Sequence, residues 1–208
     1  MTALDALDYG AVIVFALTGA LVASRAQLDI VGFVFVACLT AVGGGTLRDV
    51  ILDRAVFWVV EPAFIGAAGL AAVVVFFTAH RLESRYRTLV WLDAFALAVA
   101  VPAGVAVALV AGQPWPVVLI MGITTGCFGG LMRDVVCNEV PLVLKQGELY
   151  VTCALAGAAV ATGLVAAGMS EPLALVACGA VTFGLRAGSI AMGWRLPVYR
   201  ARPPRGKG

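Results

Sequence analysis

The chain is poor in charge. Asp, Glu, Lys and Arg make up 12% of its 208 residues, about half the share usual in soluble globular domains. So few charges cannot cover a water-facing surface without leaving large apolar patches. A soluble enzyme, a disordered chain and a nucleic-acid binder are therefore excluded. A net charge of +2 is too small to point to a polyanionic partner. His80 is the only histidine and reads as a solvated residue beside a basic loop. The five cysteines (Cys38, Cys127, Cys137, Cys153 and Cys178) form no CxxC pair. They sit in apolar runs and read as small buried hydrophobes. No Walker loop, nucleophile elbow or metal-ligand spacing is present, so no enzyme, cofactor or metal site is expected. The first apolar run lacks a preceding basic stretch, so no cleavable signal peptide is expected.

Apolar residues are what the chain has: 62% of the total, with a mean hydropathy of +1.02. A helix needs about 20 apolar residues to cross a bilayer, and seven runs qualify, at about 8–24, 29–52, 60–79, 89–111, 115–137, 149–168 and 171–193. The runs lack the two-residue alternation of barrel strands. The expected fold is an all-α membrane protein with seven transmembrane helices in a single membrane domain over residues 1–208, ending in a basic tail, 194–208. Eleven basic residues flank one set of span ends: Arg25, Arg81, Arg85, Arg87, Arg133, Lys145, Arg195, Arg200, Arg202, Arg205 and Lys207. Only Arg48 and Arg54 flank the other. This asymmetry predicts an N-terminus outside and a C-terminus in the cytoplasm. The tail reads as an anchor that also meets anionic headgroups. Tyr150 and Trp58, Trp91, Trp115 and Trp194 read as an interfacial aromatic belt.

The chain also repeats itself at an offset of 85 residues. Thr40, Gly44, Gly45, Arg48, Asp49 and Val50 recur as Thr125, Gly129, Gly130, Arg133, Asp134 and Val135. Upstream, Leu7, Asp8, Gly19, Val22 and Ala23 recur as Leu92, Asp93, Gly104, Val107 and Ala108. Each copy holds three spans, over about 8–79 and about 89–168 by span length. Three is odd, so the second copy is expected to run inverted relative to the first, with the seventh helix added. Inverted repeats place their path at the repeat interface, often at broken helices.

Gly43-Gly44-Gly45 and Gly129-Gly130 lie inside spans two and five. Each costs about 1 kcal/mol relative to Ala in a helix interior, so the runs predict a kink or an unwound turn in each span, lining a hydrated path. The alternative is close helix packing through small residues. Thr40, Thr46, Thr124, Thr125 and Thr18 supply hydroxyls near these glycines. Arg48-Asp49 and Arg133-Asp134 follow them. Neighbours in sequence do not face each other on a helix, so each Arg is expected to pair with another helix or to snorkel. Asp8 and Asp93 read as N-terminal helix caps. Arg186 is the clearest deep charge, with Asp49, Asp134 or Asp29 as candidate partners.

The stretches Phe15–Ala20, Asp29 with Gly32, and Ala41–Asp49 resemble the bacterial homologues of trimeric intracellular cation channels. So do Gly129–Val135 with Val140-Pro141-Leu142 and Tyr150, and the ending from Leu185-Arg186 to Trp194-Arg195-Leu196-Pro197. The resemblance runs from about Asp8 to Pro197. It implies a homotrimer with one pore per protomer, conducting monovalent cations, mainly potassium and also sodium, in a bacterial inner membrane. It places the pore at Gly43, Gly44, Gly45, Gly129 and Gly130, with Arg48, Asp49, Arg133, Asp134 and Arg186 as charged pore or gating groups. Phe128 stands where the first copy has Gly43, which predicts a milder second kink. A secondary transporter of a small zwitterion such as glycine is the alternative, since inverted repeats fit it equally. A structural subunit without transport is a third reading.

Overall fold

The computed structural model describes residues 3–81 and 84–199. Arg200, Arg202, Arg205 and Lys207 of the basic tail lie outside the described residues. Eight α-helices follow in order among those described: α1 (Ala3–Arg25), α2 (Ile30–Ile51), α3 (Phe57–Val60), α4 (Ala63–Thr78), α5 (Arg85–Val110), α6 (Trp115–Val136), α7 (Val151–Ala166) and α8 (Glu171–Met192). Six stretches are long and apolar enough to cross a membrane, the third of them running from α4 through Arg81, and α7 is a shorter apolar helix. Large side chains point outward: Val31, Phe35, Leu70, Phe77 and Val176 are each more than half exposed. A protein in water would bury these, so the outer surface is built for lipid.

Small residues make the interior. Ala94, Ala96, Ala100, Ala103, Ala106 and Ala108 are fully or almost fully buried along α5, the most enclosed helix. Lipid offers no hydrophobic drive for helices to associate, so close approach through small side chains has to supply the packing. α1, α2, α5 and α6 pack on one another at the centre. α4 lies against α1 and α2, and α7 against α5 and α6. α8 covers α5 and α7.

The 85-residue offset extends to the helix stops. Gln27 and Gly112, after α1 and α5, have φ of 55° and 66°. Asp53 and Asn138, after α2 and α6, have φ of 51° and 54°. A left-handed residue closes a helix by letting following N–H groups reach back to its last carbonyls. Asp53 N–H bonds Val50 O at 3.2 Å, and Asn138 N–H bonds Val135 O at 3.1 Å.

Four expectations change. The glycine runs do not unwind their helices: α2 and α6 remain α-helical throughout. Packing across the glycines, described below, compensates their weak helix preference. Asp8 and Asp93 are not caps, because α1 begins at Ala3 and α5 at Arg85. Tyr150 is 2% exposed and sits in the interior, not in a belt. Asp29 is not the partner of Arg186. It is the exposed N-cap of α2, accepting the Gly32 N–H at 2.8 Å. Asp29→Ala is expected to lower stability by about 1 kcal/mol, the usual value of such a cap, measured by chemical unfolding in detergent.

Candidate functional site

Two buried arginine clusters and one helix crossing lie along the centre. In the first cluster Arg48 of α2 donates from Nε to Asp49 at 2.8 Å and from Nη1 to Asp8 of α1 at 3.1 Å. The second oxygen of Asp49 accepts the Phe57 N–H at 2.9 Å, which fixes the start of α3. The Phe57 ring lies 5.5 Å from the guanidinium.

The second cluster repeats the first, residue for residue. Arg133 of α6 donates from Nε to Asp134 at 2.7 Å and from Nη1 to Asp93 of α5 at 2.9 Å. The other Asp134 oxygen accepts the Leu142 N–H at 2.8 Å. Thr18 of α1 adds a bond absent from the first copy, accepting from Arg133 at 2.9 Å. Arg133 and Asp93 are fully enclosed, whereas the Asp8 side chain is 16% exposed. Asp8 and Thr18 are ten residues apart on α1, so the clusters are separated by about 15 Å along its axis.

The adjacent pairs Arg48-Asp49 and Arg133-Asp134 do bond each other, contrary to expectation. Each Arg reaches sideways with Nε to its neighbour and forward with Nη1 to the next helix. Helix-face geometry describes short side chains better than a guanidinium on a three-carbon stem.

Between the clusters α2 crosses α6 at glycine. A Cβ on Gly44 would come within 2.2 Å of the Thr125 carbonyl oxygen, and one on Gly129 within 2.3 Å of the Thr40 carbonyl oxygen. The contact is reciprocal, Gly to Thr in both directions. The companion pair behaves alike: a Cβ on Gly19 would meet Thr40 Oγ1 at 2.7 Å, and one on Gly104 Thr125 Oγ1 at 2.5 Å. Only glycine permits backbones this close. Thr40 and Thr125 donate their hydroxyl protons to Val36 O at 2.6 Å and Met121 O at 2.7 Å within their own helices. Asp8, Thr40, Gly44, Gly45, Phe57 and Thr125 line a cavity of about 10 Å³ above the crossing. That is room for about one water molecule.

The remaining candidates lie around this axis. Gly43 faces Met132 on the outer side of the crossing, and Gly45 faces the Phe57 ring. Gly130 leaves space beside the Tyr150 hydroxyl, Arg133 and Asp93. Thr46 accepts from the Trp58 indole at 2.8 Å, and Thr124 is half-buried on α6. Arg186 of α8 pairs with none of its expected partners. It bonds Glu148 at 3.0 Å and the Leu149 carbonyl at 3.2 Å, 5.0 Å from the Tyr150 ring. Sequence reading missed Glu148 because its loop carries no periodicity. Its one signal was an acid just before an apolar run.

The fold and these clusters define a multi-pass helical membrane protein with a duplicated, arginine-centred core. A family described as "Glycine transporter" matches residues 5–80 and again 90–166. The UPF0126 membrane protein of Vibrio cholerae is 34% identical over 95% of this chain and 85% of its own length. The UPF0126 inner membrane protein YadS of Escherichia coli is 34% identical over 93% and 94%. The structure of a TRIC trimeric intracellular cation channel orthologue from Rhodobacter sphaeroides is 44% identical, with a TM-score of 0.90 over 93% of this chain and all of that one. The chain belongs to the UPF0126 membrane protein family and is a bacterial homologue of the TRIC channels.

Proposed function

We propose that the protein is a passive cation channel, permeable to potassium and to a lesser degree sodium, with one pore inside each protomer of a homotrimer. The path runs past the α2–α6 crossing, from the Arg48 cluster to the Arg133 cluster. One observation carries this reading: each end of the crossing holds one guanidinium against two carboxylates. With both carboxylates ionised, each cluster is net negative. The C-terminal ends of α2 and α6 add negative dipole at the same places. Such ends gather cations and repel anions. The likeness to the TRIC channel orthologue supports the same class.

The crossing as described is shut, with room for about one water beside it. Because α2 and α6 are continuous, the path opens by the two helices separating. Separation brings the Thr40 and Thr125 carbonyls to the passing ion, and these replace part of its hydration shell. Gly43, Gly45, Gly130, Thr46 and Thr124 flank this route, and Arg186 steadies its Tyr150 side.

We further infer two inverted repeats of three spans, α1, α2 and α4 against α5, α6 and α7, with α8 as the seventh span, in one domain. Contacts between Arg25 and Glu139 and between Arg85 and Ser24 gather basic residues at one end. That supports a cytoplasmic C-terminus in a bacterial inner membrane.

The family description favours a second reading, transport of a small zwitterion such as glycine. Planar-bilayer recording under a potassium chloride gradient separates the two. Discrete openings without glycine, reversing near the potassium equilibrium potential, are expected. Silence with inserted protein, together with saturable glycine uptake in liposomes, would overturn the channel.

A further inference from the structure

Helix α3 is only four residues long, yet it is docked on the glycine turn of α2. Three contacts hold it there. Phe57 N–H bonds the Asp49 carboxylate at 2.9 Å. The Phe57 ring lies against Gly45, where a Cβ would come within 2.7 Å of it. Trp58 donates its indole N–H to Thr46 Oγ1 at 2.8 Å, and Thr46 donates its own proton to Val42 O at 2.7 Å. Val42 and Thr46 bracket Gly43, Gly44 and Gly45, so the indole ends a chain of bonds that spans the turn. Neighbouring helices hem α3 in. The Phe57 ring meets Phe64 of α4 edge-on, at 4.9 Å between centroids. Tyr9 of α1 stacks on Phe64 at 4.0 Å and donates to Glu61, the residue after α3, at 2.6 Å.

This placement matters because Phe57 lines the cavity above the crossing, together with Asp8, Gly44 and Gly45. Phe57 and Trp58 are half-buried, whereas Val59 and Val60 are exposed. α3 therefore packs one face on the turn and leaves the other free. The second copy keeps the backbone bond and little else. Leu142 N–H bonds Asp134 as Phe57 N–H bonds Asp49. At the offset of 85, however, Leu142 stands for Phe57, Val143 for Trp58 and Leu131 for Thr46. The nearest atom to a Cβ on Gly130 is the Tyr150 hydroxyl, at 3.4 Å, where Gly45 has the Phe57 ring. The cover is thus built on one copy alone.

We propose that Phe57 is a gate over this cavity at the Arg48 end of the path, and that Trp58 is the positioning residue that holds it shut through Thr46. The proposal rests on the channel reading and adds a barrier in series with the crossing. An apolar ring offers a cation no oxygen to replace its hydration shell, so the docked ring stops the ion that the nearby carboxylates attract. α3 hangs on α2 by one backbone bond, one ring contact and one indole bond. It can swing off the cavity while both long helices stay intact. Loss of the indole bond weakens the docked state by about one net hydrogen bond, a factor of about five in population.

The test uses the full-length protein in planar bilayers and in nanodiscs. The variants are Trp58→Phe, Thr46→Val, the two combined, Thr46→Ser, and Val59→Ala as a control at an exposed position. Trp58→Phe keeps an aromatic ring and removes the N–H donor. Open probability is expected to rise about fivefold in Trp58→Phe and in Thr46→Val. It should rise no further in the double variant, since both changes remove the same bond. Thr46→Ser retains the hydroxyl and should stay nearer the parent protein than Thr46→Val. Hydrogen exchange across residues 54–61, read by mass spectrometry, reports the docking of α3 without any current, and should speed up about fivefold in Trp58→Phe. Faster exchange at an unchanged open probability overturns the gate. Unchanged exchange overturns the hold of Trp58 on α3, and so do additive effects in the double variant. A parent protein that is inserted yet carries no current sinks the channel reading itself, and this gate with it.

Discussion

Gly44→Ala is expected to raise the channel's open probability about tenfold at unchanged ion selectivity. A methyl there would sit 2.2 Å from the Thr125 carbonyl oxygen, and that oxygen belongs to a helix backbone that cannot turn aside. α2 and α6 must part locally. Overpacking of this kind costs about 1–3 kcal/mol. The penalty falls on the shut state, in which the two backbones touch, and less on a state in which they have separated. A difference of about 1.4 kcal/mol is tenfold in population. Gly129→Ala should act alike, through Thr40. Gly66→Ala on α4 is the control, because nothing lies within 4 Å of its Cβ position. It should leave gating alone and stabilise the fold by up to about 1 kcal/mol. Single-channel recording of the three proteins decides the matter. An open probability for Gly44→Ala equal to that of Gly66→Ala would remove the crossing as the gate.

Asp93→Ala should destabilise the protein by about 3–5 kcal/mol, the cost of stripping one partner from a buried ion pair. Arg133 and Asp93 are both fully enclosed, so water cannot replace the lost carboxylate. Asp8→Ala removes the matching residue of the first copy and should cost clearly less, since Asp8 is 16% exposed and water can take the place of its carboxylate. Unfolding free energies of the two variants in the same detergent give the comparison. Equal losses would mean that the two clusters are equally sealed in solution, against the difference in burial.

The sequence made six of the seven expected spans legible because bilayer thickness imposes a length that apolar runs must meet, while α7 is shorter than that length. The repeated motif was equally legible, and so were Arg48-Asp49 and Arg133-Asp134, since costly buried charges stand out against so apolar a chain, whereas Asp8 and Asp93 were read as caps. The bonding inside the clusters was not. Whether Arg48 bonds its neighbour or a distant helix depends on three flexible torsions, which spacing does not encode. The glycines were read as breaks because their helix propensity is weak, yet the gain from backbone contact at Gly44 and Gly129 outweighs it. Glu148 escaped notice, since loop contacts leave no period to detect.

The reciprocal contact of Gly44 with Thr125 and of Gly129 with Thr40 is the kind that two identical subunits make about a two-fold axis. An ancestor half this length, pairing with an inverted second copy of itself about a two-fold axis, would have formed the same contact twice with one set of residues. Fusion of two such copies would have released each to diverge on its own. The drift is visible at Phe128 for Gly43, and in the Thr18 bond that seals only the second cluster. A split gene expressing residues 1–82 and 83–208 as separate chains should therefore reassemble in the membrane, because the halves meet through this reciprocal contact and not through the loop that joins them.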